Sequence, residues 1–139
     1  MLKIERIDHT ADEGVIVQAD TLEDLFKAMA HEMFRIICPD DDSIHEREEH
    51  SLSVEGEDHA ELLVNWLSEL NFLFQTEQIL LAETTSLTLN DHRLHAKISA
   101  DRYDPDRHML ATEIKAVTYH HLFVEKQKSG WKAQVIFDI

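Results

Sequence analysis

Lys3-Ile4-Glu5-Arg6-Ile7-Asp8-His9-Thr10-Ala11-Asp12-Glu13-Gly14-Val15-Ile16-Val17-Gln18-Ala19 opens the chain with two apolar-alternating stretches around a polar cluster. Alternation of period two predicts short strands over 3–8 and 14–19. Two carboxylates, an imidazole and a hydroxyl fall within positions 8–12. Polar side chains where one strand stops and turns are a common setting for metal and phosphate sites. Read as a turn alone, the same run needs only aspartates and a threonine that bond their own backbone, and a permissive dihedral at Gly14.

Working outward, Thr21-Leu22-Glu23-Asp24 reads as a helix start, with Thr21 as the cap and two acids at the positive end of the dipole. Leu22, Leu25, Phe26, Met29, Met33 and Ile36 follow at helical spacing. The helix must stop before Pro39, because the residue before a proline avoids helical dihedrals. Asp40–Glu49 is a charged, solvated linker without the turn glycine of a Ca²⁺ loop. A strand is expected over 51–56. A second helix opens at Asp58 and carries Leu62, Leu63, Trp66, Leu67, Leu70, Leu73 and Phe74 on one wide face. Residues 79–89 and 93–100 read as a hairpin turning at Asn90-Asp91-His92, and 101–110 as a polar loop. Lys115–Lys126 alternates with apolar residues on both faces, which predicts one central strand. After a turn at Lys128-Ser129-Gly130, Trp131–Phe137 is the last strand. Strands with two interspersed helices predict an α+β fold, a single two-layer domain over 1–139 with a mostly antiparallel sheet.

The chain has 139 residues, 43% of them hydrophobic, enough for one core. Thirteen basic against 28 acidic side chains give a formal charge of -15. Non-specific nucleic-acid affinity comes mostly from Lys and Arg releasing counterions, so direct nucleic-acid binding is not expected. A basic protein partner or a divalent cation fits this charge better. The single cysteine, Cys38, excludes an internal disulfide and a four-thiolate metal site, and is expected to be a buried small residue. No signal peptide is visible, and no apolar run approaches the ~18 residues of a membrane span. A cytoplasmic setting is expected.

The chemistry concentrates at two places. The last strand runs to Asp138-Ile139, so an aspartate and a free α-carboxylate lie within a few residues of each other. With Asp12 they would make an oxygen-rich site for a hard cation, Ca²⁺ or Mg²⁺, if the fold brings residue 12 to residue 138. Of the ten histidines, only His9 and His120 are placed near the polar cluster. His120 and His121, adjacent on a strand, would point to opposite faces and could not share a metal. Three glycines leave no room for a phosphate loop or dinucleotide fingerprint. Lys115 could meet a phosphate or an acidic partner, or be a surface lysine at a strand end.

Asp8-His9-Thr10-Ala11-Asp12, Leu62–Leu70, Tyr103-Asp104-Pro105, Glu113–His120 and Val135–Ile139 together resemble the archease family, in order and over the whole chain. The resemblance implies a small fold of strand-helix-strand-strand type and no stand-alone catalytic reaction. It implies a partner, the GTP-dependent tRNA-splicing RNA ligase that joins 2′,3′-cyclic phosphate or 3′-phosphate ends to 5′-hydroxyl ends. The family promotes guanylylation and multiple turnover of that ligase. The family's metal site carries over as Asp12, Asp138 and Ile139. Asp8, His9 and Lys115 match motif positions as partner-facing or supporting residues. Three departures stand out: Glu13 replaces an aliphatic residue and would add charge beside the site, Asn65 replaces an aspartate, and Asn71 interrupts an aliphatic stretch. Two alternatives remain at this point, a metal-dependent hydrolase using the same carboxylates and a chaperone-like binding module.

Overall fold

The computed structural model describes residues 1–8 and 11–139. Strands β1 (Lys3–Asp8) and β2 (Asp12–Ala19) lead into helix α1 (Leu22–Ile37); β3 (Glu48–Glu55) leads into helix α2 (His59–Glu77). Then come β4 (Ile79–Asn90), β5 (Arg93–Arg102), β6 (Ala116–Val117), β7 (Phe123–Gln127) and β8 (Gly130–Asp138). One sheet has the order β1-β2-β8-β6, with β7 also on β8; the other has the order β3-β5-β4. Every pairing is antiparallel. The fold is α+β, as expected from the order of elements.

Both helices start as their caps dictate. The Asp24 amide donates to Thr21 Oγ1 at 3.0 Å, and the Glu61 amide to Asp58 Oδ1 at 2.8 Å. Each helix packs against strands of both sheets, and their apolar faces join one cluster with Val15, Val17, Ile98, Val135 and Phe137. Trp66, fully buried, donates from Nε1 to the Phe26 carbonyl at 3.1 Å and so ties α2 to α1. Fully burying a side chain of this size contributes about 1.5–3 kcal/mol relative to exposure. Cys38 is free and buried. At the β7–β8 turn only glycine serves: Gly130 has φ +125°, and an added Cβ would lie 2.3 Å from the Ala19 carbonyl oxygen.

Two expectations are corrected. Lys115–Lys126 is not one strand. Its register against β8 runs from Val117↔Phe137 to Phe123↔Gln134, so the strand loops out between β6 and β7. The apolar alternation continues across this break, which is why the pattern read as one strand. Within the loop His121 has φ 52°, and the His120 and His121 rings lie 4.1 Å apart, side by side rather than on opposite faces. The second correction concerns β2, which begins at Asp12 rather than at residue 14. Gly14 therefore lies inside the strand and is not in a left-handed conformation. It is needed for space: an added Cβ would meet Ile136 Cδ1 at 2.9 Å and Ile7 Cβ at 3.4 Å.

Candidate functional site

Because β2 begins at Asp12 and β8 ends at Asp138, these two aspartates are direct partners in the antiparallel register. Side chains of opposed residues share a face, with Cβ atoms about 5 Å apart. The fold thus supplies the juxtaposition that the sequence left open. Ile139 follows at once, and its amide donates to the Ala11 carbonyl at 3.2 Å. The end of β8 is thereby fastened to the start of β2. Both aspartates are half-buried. Oδ1 of Asp12 is buried and has no hydrogen-bond partner among the described residues. A buried carboxylate oxygen without a partner is costly in free energy, and a cation is one group that satisfies it.

The donor set fits a hard cation. Two carboxylates, with the C-terminal residue Ile139 beside them, are the oxygen ligands that Ca²⁺ and Mg²⁺ prefer, the remaining positions being filled by water or partner atoms. Among the described residues no group of three or more His, Cys, Asp or Glu side chains is arranged to hold a metal. A cation here would therefore need main-chain, terminal or external oxygens beside Asp12 and Asp138.

The other sequence-predicted residues divide. Lys115 immediately precedes β6, is exposed, and donates its amide to the Asp138 carbonyl at 2.8 Å. Asp8 faces Glu13 across β1–β2, which by strand alternation puts it on the opposite face from Asp12 and Asp138. His9 lies outside the described residues. Glu13 does not add charge beside the aspartate pair. It turns to the helix side, where Arg6 pairs with it and with Glu32. Asn65 donates to the Glu55 carbonyl at 2.6 Å, joining α2 to β3.

Two features were missed by sequence reasoning, the first a support of this site. Asn71, buried in α2, donates to the Ile114 carbonyl at 3.0 Å, and Gln75 one turn on donates to the same oxygen at 2.9 Å. The residue that interrupts an aliphatic face is thus the one that clamps the approach to Lys115. The second is a network within the expected polar loop 101–110. Asp101 is fully buried at the end of β5. It accepts from both terminal nitrogens of Arg107 at 3.0 and 3.1 Å, and from the amides of His45 and Arg102 at 2.9 Å each. Burial alone would raise the Asp101 pKa, but the Arg107 guanidinium and the two amides outweigh it and hold it well below the usual carboxylate range. His108, also buried, accepts the Asp104 amide on Nδ1 at 2.9 Å. Its Nε2 therefore carries the proton, facing the Ser43 carbonyl at 3.0 Å and Asp101 Oδ2 at 3.2 Å. The cluster Asp101…Arg107-His108 was the one available signal, but nothing in its spacing shows that the loop folds back onto Asp101.

The fold and this site together define a small acidic α+β protein with paired carboxylates at the end of its last strand. Residues 5–139 match the model of the Archease protein family (MTH1598/TM1083), and the chain belongs to that family. It is 36% identical to the archease of Methanosarcina mazei, covering 99% of this chain and 96% of that one. It is 37% identical to that of Methanopyrus kandleri, covering 97% and 98%, and 34% identical to that of Pyrococcus abyssi over the whole of both chains. The solution structure of Methanobacterium thermoautotrophicum protein 1598 superposes with a TM-score of 0.79 at 31% identity, covering 98% of each chain. The crystal structure from Thermotoga maritima, described as an archease, possible chaperone, shares the fold, with a TM-score of 0.67 at 20% identity and coverage of 97% and 96%. Among the described residues no helix is long and apolar enough to cross a membrane.

Proposed function

We propose that this protein is a non-enzymatic activator of a GTP-dependent RNA ligase, promoting the ligase's guanylylation and repeated turnover in tRNA splicing. The observation that carries this reading is the register pairing of Asp12 with Asp138, with one buried, unpartnered carboxylate oxygen and Ile139 fastened alongside. Membership of the archease family is what makes this ligase the partner we propose. Asp12, Asp138 and Ile139 would hold a divalent cation, Ca²⁺ or Mg²⁺, whose chemistry is to neutralise and orient phosphate oxygens. Lys115, tied to Asp138 by its own amide, would stand at the rim and face the partner. The charge of -15 favours docking on a basic surface with a fast, salt-sensitive association rate.

The test is single-turnover guanylylation of the cognate ligase with GTP, with this protein absent, present, or present as Asp12→Ala or Asp138→Ala. Faster guanylylation with the wild type and not with either variant is the expected result. No acceleration by the wild type overturns the reading. Hydrolase activity lost in Asp12→Ala, or suppressed aggregation of unrelated proteins, would then decide between the two alternatives.

A further inference from the structure

The charge of this chain is unevenly distributed. Residues 114–137 contain four lysines, two histidines and one acidic residue, Glu125, whereas the remainder contains nine basic and 27 acidic residues. A segment of formal charge +3 thus sits in a chain of -15. Its parts are neighbours in space, because β6 and β7 both pair with β8. Lys115, Lys126 and Lys128 therefore lie along the β6–β7 edge of the larger sheet, with Lys132 on β8 behind them. Lys115, Lys126 and Lys128 are exposed and Lys132 is half-buried. None of the four makes an ion pair among the described residues.

The same edge presents rings. Tyr119 is 60% exposed at the tip of the loop between β6 and β7, next to the imidazoles of His120 and His121, whose planes are tilted by 54°. The tip is fixed rather than loose. Thr118 Oγ1 donates to the Ile136 carbonyl at 2.8 Å and accepts the His120 amide at 3.2 Å, while Gln134 Nε2 donates to the His121 carbonyl at 2.9 Å. His121 holds a left-handed φ of 52°. A non-glycine residue keeps such a conformation only where its surroundings enforce it. Further along, the Lys126 ammonium lies 5.3 Å from the centre of the Trp131 ring, so this charge too is held in place.

We propose that this edge is a contact surface for single-stranded RNA, running from Lys115 beside Asp138, over Tyr119 and His120, to Lys126 and Lys128. Exposed rings with lysines to either side suit a strand whose phosphates need cations and whose bases need stacking faces. An acidic protein surface would use the lysines alone and leave the rings without a role. Net charge governs a broad grip, whereas a contact of a few nucleotides senses the local charge, since the screening length is about 8 Å at physiological ionic strength. The contact is accordingly weak and oriented, as suits RNA held mainly by a partner protein. The inference rests on the proposed function for the choice of RNA, but its test contains no ligase, so the two can fail separately.

The test is a titration of the isotope-labelled full chain with octauridylate, followed by amide shifts. The expected shifts are confined to residues 115–121 and 126–132. With three phosphates contacted, affinity should fall roughly tenfold to twentyfold between 50 and 200 mM salt. Combined Lys126→Ala and Lys128→Ala should flatten that salt dependence, and Tyr119→Ala should weaken binding without flattening it. No shift at millimolar oligonucleotide overturns the proposal. So do equal shifts from inorganic phosphate, which would mean a simple anion site, or equal shifts from octaglutamate, which would mean a surface for an acidic protein.

Discussion

Lys115 and Asp138 are joined through the main chain, the Lys115 amide donating to the Asp138 carbonyl at 2.8 Å. This bond couples the candidate site to whatever holds residue 114. Asn71 and Gln75 both hold the Ile114 carbonyl, so α2 positions Lys115 through the residue before it.

Replacing both Asn71 and Gln75 with alanine should therefore loosen the site before it unfolds the protein. Each lost hydrogen bond costs about 1 kcal/mol, and the Lys115 amide should exchange roughly tenfold faster. Hydrogen exchange resolved at Lys115, with Trp66 as a core reference, checks this. Unchanged exchange at Lys115 would show that the clamp has no bearing on the site.

Asp101 makes a different prediction, because it is a buried anion held by several donors. Asp101→Ala would leave Arg107 with Asp104 alone and His108 with the Ser43 carbonyl alone, at a cost of about 3–5 kcal/mol for breaking a buried pair. Arg107 is 27% exposed and water partly compensates it, so the low end of that range is expected. Chemical denaturation at pH 7 measures the difference. A cost below about 1 kcal/mol would mean that the network is no stronger than a surface pair.

The pH dependence has two limbs. The Asp101 pKa is depressed, as are those of Glu32, Glu48 and Asp104, so their stabilisation is present above their ordinary values and is lost as pH falls through the folded ones. His31 is shifted upward from 6.5, by Glu32 first and then Asp41, against the opposing effect of burial. Its contribution is complete below 6.5 and is lost as pH rises through the raised value. Stability should therefore be greatest between about pH 4.5 and 6.5. In Asp101→Asn the acid limb should flatten, and in Glu32→Gln the alkaline limb should. Melting temperatures across pH 2–9 would show both.

Most of the scaffold could be read from the residues. Thr21 and Asp58 announced the helices because a cap is a local device, and the apolar spacing behind each was long enough to leave no other period. The pairing of Asp12 with Asp138 could not be read, since register is set by which strands meet, and nothing local to either residue specifies that. The break after Val117 was hidden because apolar residues fall on both sides of the loop. Asn71 looked like a flaw in an aliphatic face, because its partner is a main-chain carbonyl 43 positions away that no side-chain pattern reveals.

The aspartate pair gives the sharpest test of the site itself. Without a cation, two carboxylates directly opposed on one sheet face repel each other, and like charges so placed destabilise by roughly 0.2–1 kcal/mol. Asp138→Asn should thus leave the metal-free protein as stable as the wild type, or slightly more so. With a cation the order reverses. Binding at a concentration 100-fold above Kd stabilises the folded state by about 2.7 kcal/mol, a rise in Tm on the order of 10 °C for a domain of this size. The wild type should show that rise with Ca²⁺ or Mg²⁺, and Asp12→Asn and Asp138→Asn should not. Equal rises in all three proteins would place the cation elsewhere and leave the buried Oδ1 of Asp12 to be satisfied by a partner protein instead.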